Sequence, residues 1–115
     1  MNVTAESYGH AVILNLKGEL IEDSLNALRQ AVDRYLTSGD KEVVDLVLNL
    51  ENVPFIDSSV LTYLLDLRDF LSERLGQVKL VKCDQNVRKI LEITRLDADF
   101  ELFEDVPEAT KMTQA

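Results

Sequence analysis

The chain has 115 residues, 46% of them hydrophobic, enough for one domain spanning 1–115 that buries on the order of two-thirds of its unfolded surface. Its 21 acidic against 12 basic residues give a formal net charge of −9, which disfavours a nucleic-acid partner, since phosphate-backbone binding draws on clustered Lys and Arg. One cysteine, Cys83, and one histidine, His10, exclude an internal disulfide and make metal chemistry improbable.

No apolar run is long enough to cross a bilayer, and the N-terminal MNVTAESYGH lacks the basic-then-apolar order of a signal peptide. The expectation is a cytoplasmic protein with no direct membrane insertion and no cofactor. The basic residues are dispersed, apart from Arg88 with Lys89 in a helix and Lys79 with Lys82 along a strand. Both pairs read as solvated faces.

Asn2 to Ser7 alternates weakly, Tyr8-Gly9-His10 forms a turn, and Ala11 to Leu16 (AVILNL) is β-branched and apolar, so the two segments form an antiparallel hairpin. Lys17-Gly18-Glu19-Leu20 closes it, with Gly18 marking a bulge or bend. From Ser24 to Leu36, apolar Leu25, Leu28, Ala31, Val32, Tyr35 and Leu36 recur every three or four residues and make one helix face. Asp23 or Ser24 can cap that helix, and Ser38-Gly39-Asp40 ends it. Glu42 to Leu50 (EVVDLVLNL) reads as a central strand covered on both sides.

Between that strand and the next helix a short turn presents Asp57, Ser58 and Ser59 in a row. Short polar side chains there accept hydrogen bonds from the orphan N–H groups of a helix start, so Ser58 or Asp57 serves as cap. On a wheel centred at Leu64, Val60, Leu61, Leu67, Leu71 and Leu75 fall within about 60° and form the buried stripe. Tyr63 and Phe70 lie to one side. Either a neighbouring helix covers them or they form an aromatic anchor for a protein partner beside Ser58.

Val78 to Lys82 alternates as a short strand. Asp84 caps a helix from Gln85 to Thr94 with Val87, Ile90, Leu91 and Ile93 apolar. Phe100 to Phe103 forms a last strand and Val106 to Met112 a terminal helix. Strand and helix patterns alternate from Ala11 onward as βαβ units require. No Ser/His/Asp set, G-x-x-x-x-G-K-[ST] loop or G-x-G-x-x-G motif is present, and no enzymatic activity is expected.

Three stretches together resemble one family: G-E-L at Gly18 to Leu20, F-I-D-S-S-x-L after L-N-L-E-N-V, and V-R-K-I-L-E-I-T followed by L-D and a phenylalanine-containing strand. Each is weak alone. In order and spacing the chain resembles the STAS domain family, and more narrowly the bacterial anti-sigma factor antagonists. The resemblance implies an α/β fold with a mixed, mostly parallel sheet, an antiparallel N-terminal strand and helices largely on one side. It departs from the family in three places: Ile21 stands before Glu22 and Asp23 where an aspartate is common, while Val60 and Arg95 stand where glycine is usual.

What the resemblance implies for function is a partner switch. Ser58 is the phosphate acceptor, and the unphosphorylated surface around Asp57, Ser59, Val60, Tyr63 and Phe70 binds an anti-sigma factor or serine protein kinase. A PP2C-type phosphatase reverses the modification. The alternative is a constitutive subunit of a membrane transport complex in which Ser58 is only a cap. Val60 favours that alternative, because a β-branched side chain beside the acceptor narrows the approach that glycine leaves open.

Overall fold

Leucine- and valine-rich segments have to hide two faces here, and the sheet does so with helices of unequal size. The computed structural model describes residues 2–8, 10–37 and 45–111. Asn2–Tyr8 (β1) and Ala11–Lys17 (β2) pair antiparallel, with Ala5 opposite Leu14. Asp45–Asn52 (β3), Val78–Val81 (β4) and Glu101–Phe103 (β5) follow in parallel, and the five strands stand side by side in chain order. Gly9, Ser38-Gly39-Asp40, Glu42 to Val44 and Met112 lie outside the described residues.

A 3-10 turn at Glu22–Ser24 leads into Leu25–Thr37 (α1); Ser58–Ser72 (α2), Gln85–Ile93 (α3) and Val106–Lys111 (α4) complete the helices. The main core joins Val12, Leu14, Leu16, Leu46, Leu48, Leu50, Val78 and Leu80 of the sheet to buried leucines and valines of α1, α2 and α3. The opposite face is smaller. There Ala11, Ile13, Val47 and Val81 are covered by Ala109 and Val106 of α4, with Phe103 at the side. The expectation of helices largely on one side holds, with α4 the exception.

That second face corrects the reading of Lys79 as solvated. All four residues of β4 are buried, and Lys79 is only 1% exposed. Its Nζ donates to the Ala109 carbonyl at 3.1 Å and lies 3.8 Å from the Asp45 carboxylate and 5.7 Å from the centre of the Phe103 ring. Alternation had correctly turned Lys79 away from the main core; α4 then closed over it. A buried ammonium is tolerable only when paired and hydrogen-bonded. Lys82, one residue past the strand, stays exposed and pairs with Glu51 at 3.2 Å.

Gly18 adopts a φ of 110°, and the β2–β3 register shifts between Asn15 and Lys17, so the bend expected at Gly18 is present. Ser24 does not cap α1. Its hydroxyl accepts from the Ile21 N–H at 2.9 Å and donates back to the Ile21 carbonyl, closing the 3-10 turn on itself.

The ends of α2 and α3 are built alike and overturn two assignments. After α2, Leu75 takes a φ of 62°, its N–H reaches the Ser72 carbonyl at 3.1 Å, and the Gly76 N–H reaches Leu71 at 2.8 Å. This six-to-one, five-to-two closure throws Leu75 outward to 92% exposure instead of into the buried stripe. After α3, Arg95 does the same with a φ of 61°, and Leu96 N–H donates to Leu91 at 2.8 Å. The left-handed cap thus forms without the family's glycine, and Ile93 is exposed rather than on the apolar face.

A side chain in the left-handed region costs about 1–2 kcal/mol relative to the right-handed one. Leu75→Gly and Arg95→Gly are each expected to raise unfolding stability by about 1 kcal/mol, read as a higher urea midpoint at unchanged slope. Neither residue buries surface that the substitution would expose.

Candidate functional site

The Asp57-Ser58-Ser59 turn is held by two backbone ties to the segment after β2. Leu20 N–H donates to the Phe55 carbonyl and Asp57 N–H to the Leu20 carbonyl, both at 2.9 Å, around a parallel bridge between Leu20 and Ile56. Leu20 and Ile56 are fully buried, so this lacing is anchored in the main core. It carries the turn out at the C-terminal end of β3, where α2 begins.

Asp57, not Ser58, is the cap. Its Oδ1 accepts from the Val60 N–H at 3.1 Å and from the Ser59 hydroxyl at 2.7 Å. Its Oδ2 accepts from the Glu22 N–H at 2.8 Å, thirty-five positions away, which ties the 3-10 turn to the helix start. The Ser59 hydroxyl and these backbone donors hold the Asp57 carboxyl below its ordinary range, against the opposing effect of burial.

The two serines are therefore not equivalent. Ser59 is partly buried and its hydroxyl is committed to Asp57. Ser58, the first residue of α2, is exposed, and its hydroxyl has no hydrogen-bond partner among the described residues. Its carbonyl accepts from the Thr62 hydroxyl at 2.9 Å. Asp57 precedes it in the chain as the cap, and exposed Glu22 and Asp23 lie on the turn that is tied to that cap.

Val60 takes the place on the buried stripe that the helical wheel gave it, not the place on the partner surface that the resemblance implied. Its side chain is fully buried in the main core, and only its backbone N–H takes part in the turn. The physical reason is helical: Val60 shares the inward stripe with Leu61, Leu64, Leu67 and Leu71.

Tyr63 and Phe70 separate as well. Tyr63 is half-buried against the main core with the Arg29 guanidinium of α1 over its ring at 5.3 Å, and burial pushes its phenol up to about 12. Phe70 is 43% exposed with Arg74 over its ring at 4.7 Å. Exposed Thr62, Asp66, Asp69 and Glu73 share the outward side of α2 with Ser58.

Phe55 is the aromatic that sequence reasoning missed. It is 42% exposed and only three positions before Ser58, nearer the turn than Phe70. The parallel bridge at Ile56 explains it, because pairing turns Ile56 inward and its neighbour outward. Among the described residues no three His, Cys, Asp or Glu side chains group as metal ligands, and no helix is long and apolar enough to cross a membrane.

Asp57→Asn keeps one acceptor for the cap but removes the charge. Because the folded carboxyl titrates below its ordinary value, its contribution is present above pH about 4 and is lost as pH falls through the folded value. The acid limb of a stability-against-pH curve is expected to be shallower in Asp57→Asn than in wild type. Asp57→Ala should cost about 1–2 kcal/mol at neutral pH in urea unfolding.

A family model described as STAS domain matches residues 2–109. A STAS-domain containing protein of Pseudomonas aeruginosa strain UCBPP-PA14 is 31% identical over 94 residues, covering 82% of this chain and 89% of that one. Among solved structures, a Thermotoga maritima protein assigned as an anti-sigma factor antagonist superposes with a TM-score of 0.87 at 22% identity, covering 98% and 95% of the two chains. The unphosphorylated form of the Bacillus anti-sigma factor antagonist SpoIIAA gives 0.82 at 22% identity, covering 98% and 96%. The murine anion transporter Slc26a9 gives 0.80 at 18% identity; the match covers 95% of this chain and 18% of the transporter.

Proposed function

This chain belongs to the STAS domain family, and from that membership we propose that it is a non-catalytic regulatory protein whose binding is controlled by phosphorylation of Ser58. The observation that carries this reading is the exposed Ser58 hydroxyl, without a partner among the described residues, on a turn whose other polar side chains, Asp57 and Ser59, are engaged. Structural likeness to SpoIIAA, known in phosphorylated and unphosphorylated forms, supports it.

Unphosphorylated, the surface formed by Ser58, Phe55 and the outward side of α2 binds an anti-sigma factor or a serine protein kinase. That kinase supplies ATP and magnesium, and a PP2C-type phosphatase restores the free serine. Phosphorylation adds about −1.5 to −2 charges at the first residue of α2. The helix N-terminus offsets this by roughly 0.3–1 kcal/mol, while Asp57 and the tethered Glu22 and Asp23 oppose it. The domain has no need to refold: the phosphate excludes a partner fitted to a bare hydroxyl.

The second reading is a constitutive subunit of a transport complex, favoured by the likeness to a part of the anion transporter Slc26a9. Intact mass of the protein from its own cells, with and without phosphatase, separates the two. A phosphatase-sensitive addition that disappears in Ser58→Ala supports the switch; an unmodified mass under all growth conditions supports the constitutive subunit.

In calorimetry with the kinase-type partner, Ser58→Ala is expected to bind like wild type and Ser58→Asp more weakly. Equal binding by both would reduce Ser58 to a helix-start residue. Phe55→Ala and Phe70→Ala should each weaken the complex, by about 2 kcal/mol where the ring is a central anchor, with little change in unfolding midpoint. Tyr63→Ala, half-buried under Arg29, should instead lower the midpoint.

A further inference from the structure

The two edges of the sheet differ. β5 is three residues long, whereas β1 offers seven, and among the described residues nothing pairs with its outer side. An open edge is a template for another strand, and proteins that must stay single usually place lysine, proline or a bulge there. The segment NVTAESY has none of these; its only charge is Glu6, and its pairing with β2 is regular along all seven residues.

The layer beneath this edge is also unfinished. Val3 and Ala5 face the main core but are only half-buried. With Ala27, Gln30, Ala31, Arg34 and Tyr35 of α1 they line a groove of about 210 Å³ between β1 and α1. Small side chains at Ala27 and Ala31, one helical turn apart, leave the outer side of α1 low enough for another helix to approach.

We propose that β1 and the adjoining side of α1 form an isologous interface with a second copy of this chain, giving a continuous ten-stranded sheet. Antiparallel pairing of two β1 strands about a twofold axis at Ala5 sets Val3 against Ser7 of the other copy on the helix side. On the opposite side it sets Thr4 against Glu6. No like charges meet directly along the paired strands, and the two groove walls, each with one Arg34, face each other. A seven-residue edge is about 23 Å long, and the sheet and helix layers are together roughly 20 Å deep. The contact therefore buries about 1,000 Å² in total, the lower bound for a specific pair. The Ser58 turn lies at the C-terminal end of β3, two strands inward, so both copies keep it open.

Light scattering from micromolar to submillimolar protein is expected to give a mass approaching twice the 13.0 kDa of one chain. Thr4→Lys and Ala27→Lys, both at exposed positions, should return it to one chain with an unchanged far-ultraviolet circular dichroism spectrum. In a Cys83→Ser background, Ala5→Cys should oxidise to a covalent dimer, because directly opposed side chains on antiparallel strands lie close enough for a disulfide. A single-chain mass at every concentration overturns the proposal. So does a dimer that survives both lysine substitutions, or one in which position 5 fails to cross-link.

Discussion

The Asp57 carboxylate is the constraint on which the functional end of this molecule depends. One side chain satisfies the first turn of α2, holds the Ser59 hydroxyl, and reaches across to the Glu22 amide. The cap and the tether are therefore the same interaction. Removing it would free a helix start and the acidic turn together, which is why Ser58 sits on a rigid platform although its own hydroxyl has no partner among the described residues. The depressed carboxyl titration follows from the same donors.

Rigidity at that end contrasts with tolerated strain at the other. Leu75 and Arg95 both close their helices in the conformation glycine prefers. The two closures keep the right hydrogen bonds at the wrong residues, so each connection is short and correctly aimed at the next strand while costing some stability. Arg68 helps hold this end, pairing with Asp99 ahead of β5 as well as with its neighbour Asp69.

The buried pair of Lys79 and Asp45 shows a similar compromise on the second sheet face. Asp45 also accepts from the Gln77 N–H at 2.9 Å, so the carboxylate serves a strand start and an ammonium at once. Lys79 in turn bonds a carbonyl of the short helix α4. A hydrocarbon side chain could fill that volume, but it would leave the helix carbonyl without this donor.

Much of this was already determined by the sequence. Period-two segments and three-to-four-residue recurrences identified the hairpin, the parallel strands and the amphipathic faces of α1 and α2, because those patterns report which side of each element must avoid water. The run Asp57-Ser58-Ser59 before an apolar helix located the site, since capping chemistry is local to a few residues. What pattern could not determine was anything requiring two distant segments. That Asp57 grips Glu22, that Phe55 faces out, and that α4 covers Lys79 all depend on how elements pack. The exposure of Leu75 and Ile93 was decided by where each helix stops, and that is a matter of backbone closure rather than periodicity. Local sequence determines a residue's side of its own element; only the tertiary structure decides whether a neighbour occupies that side.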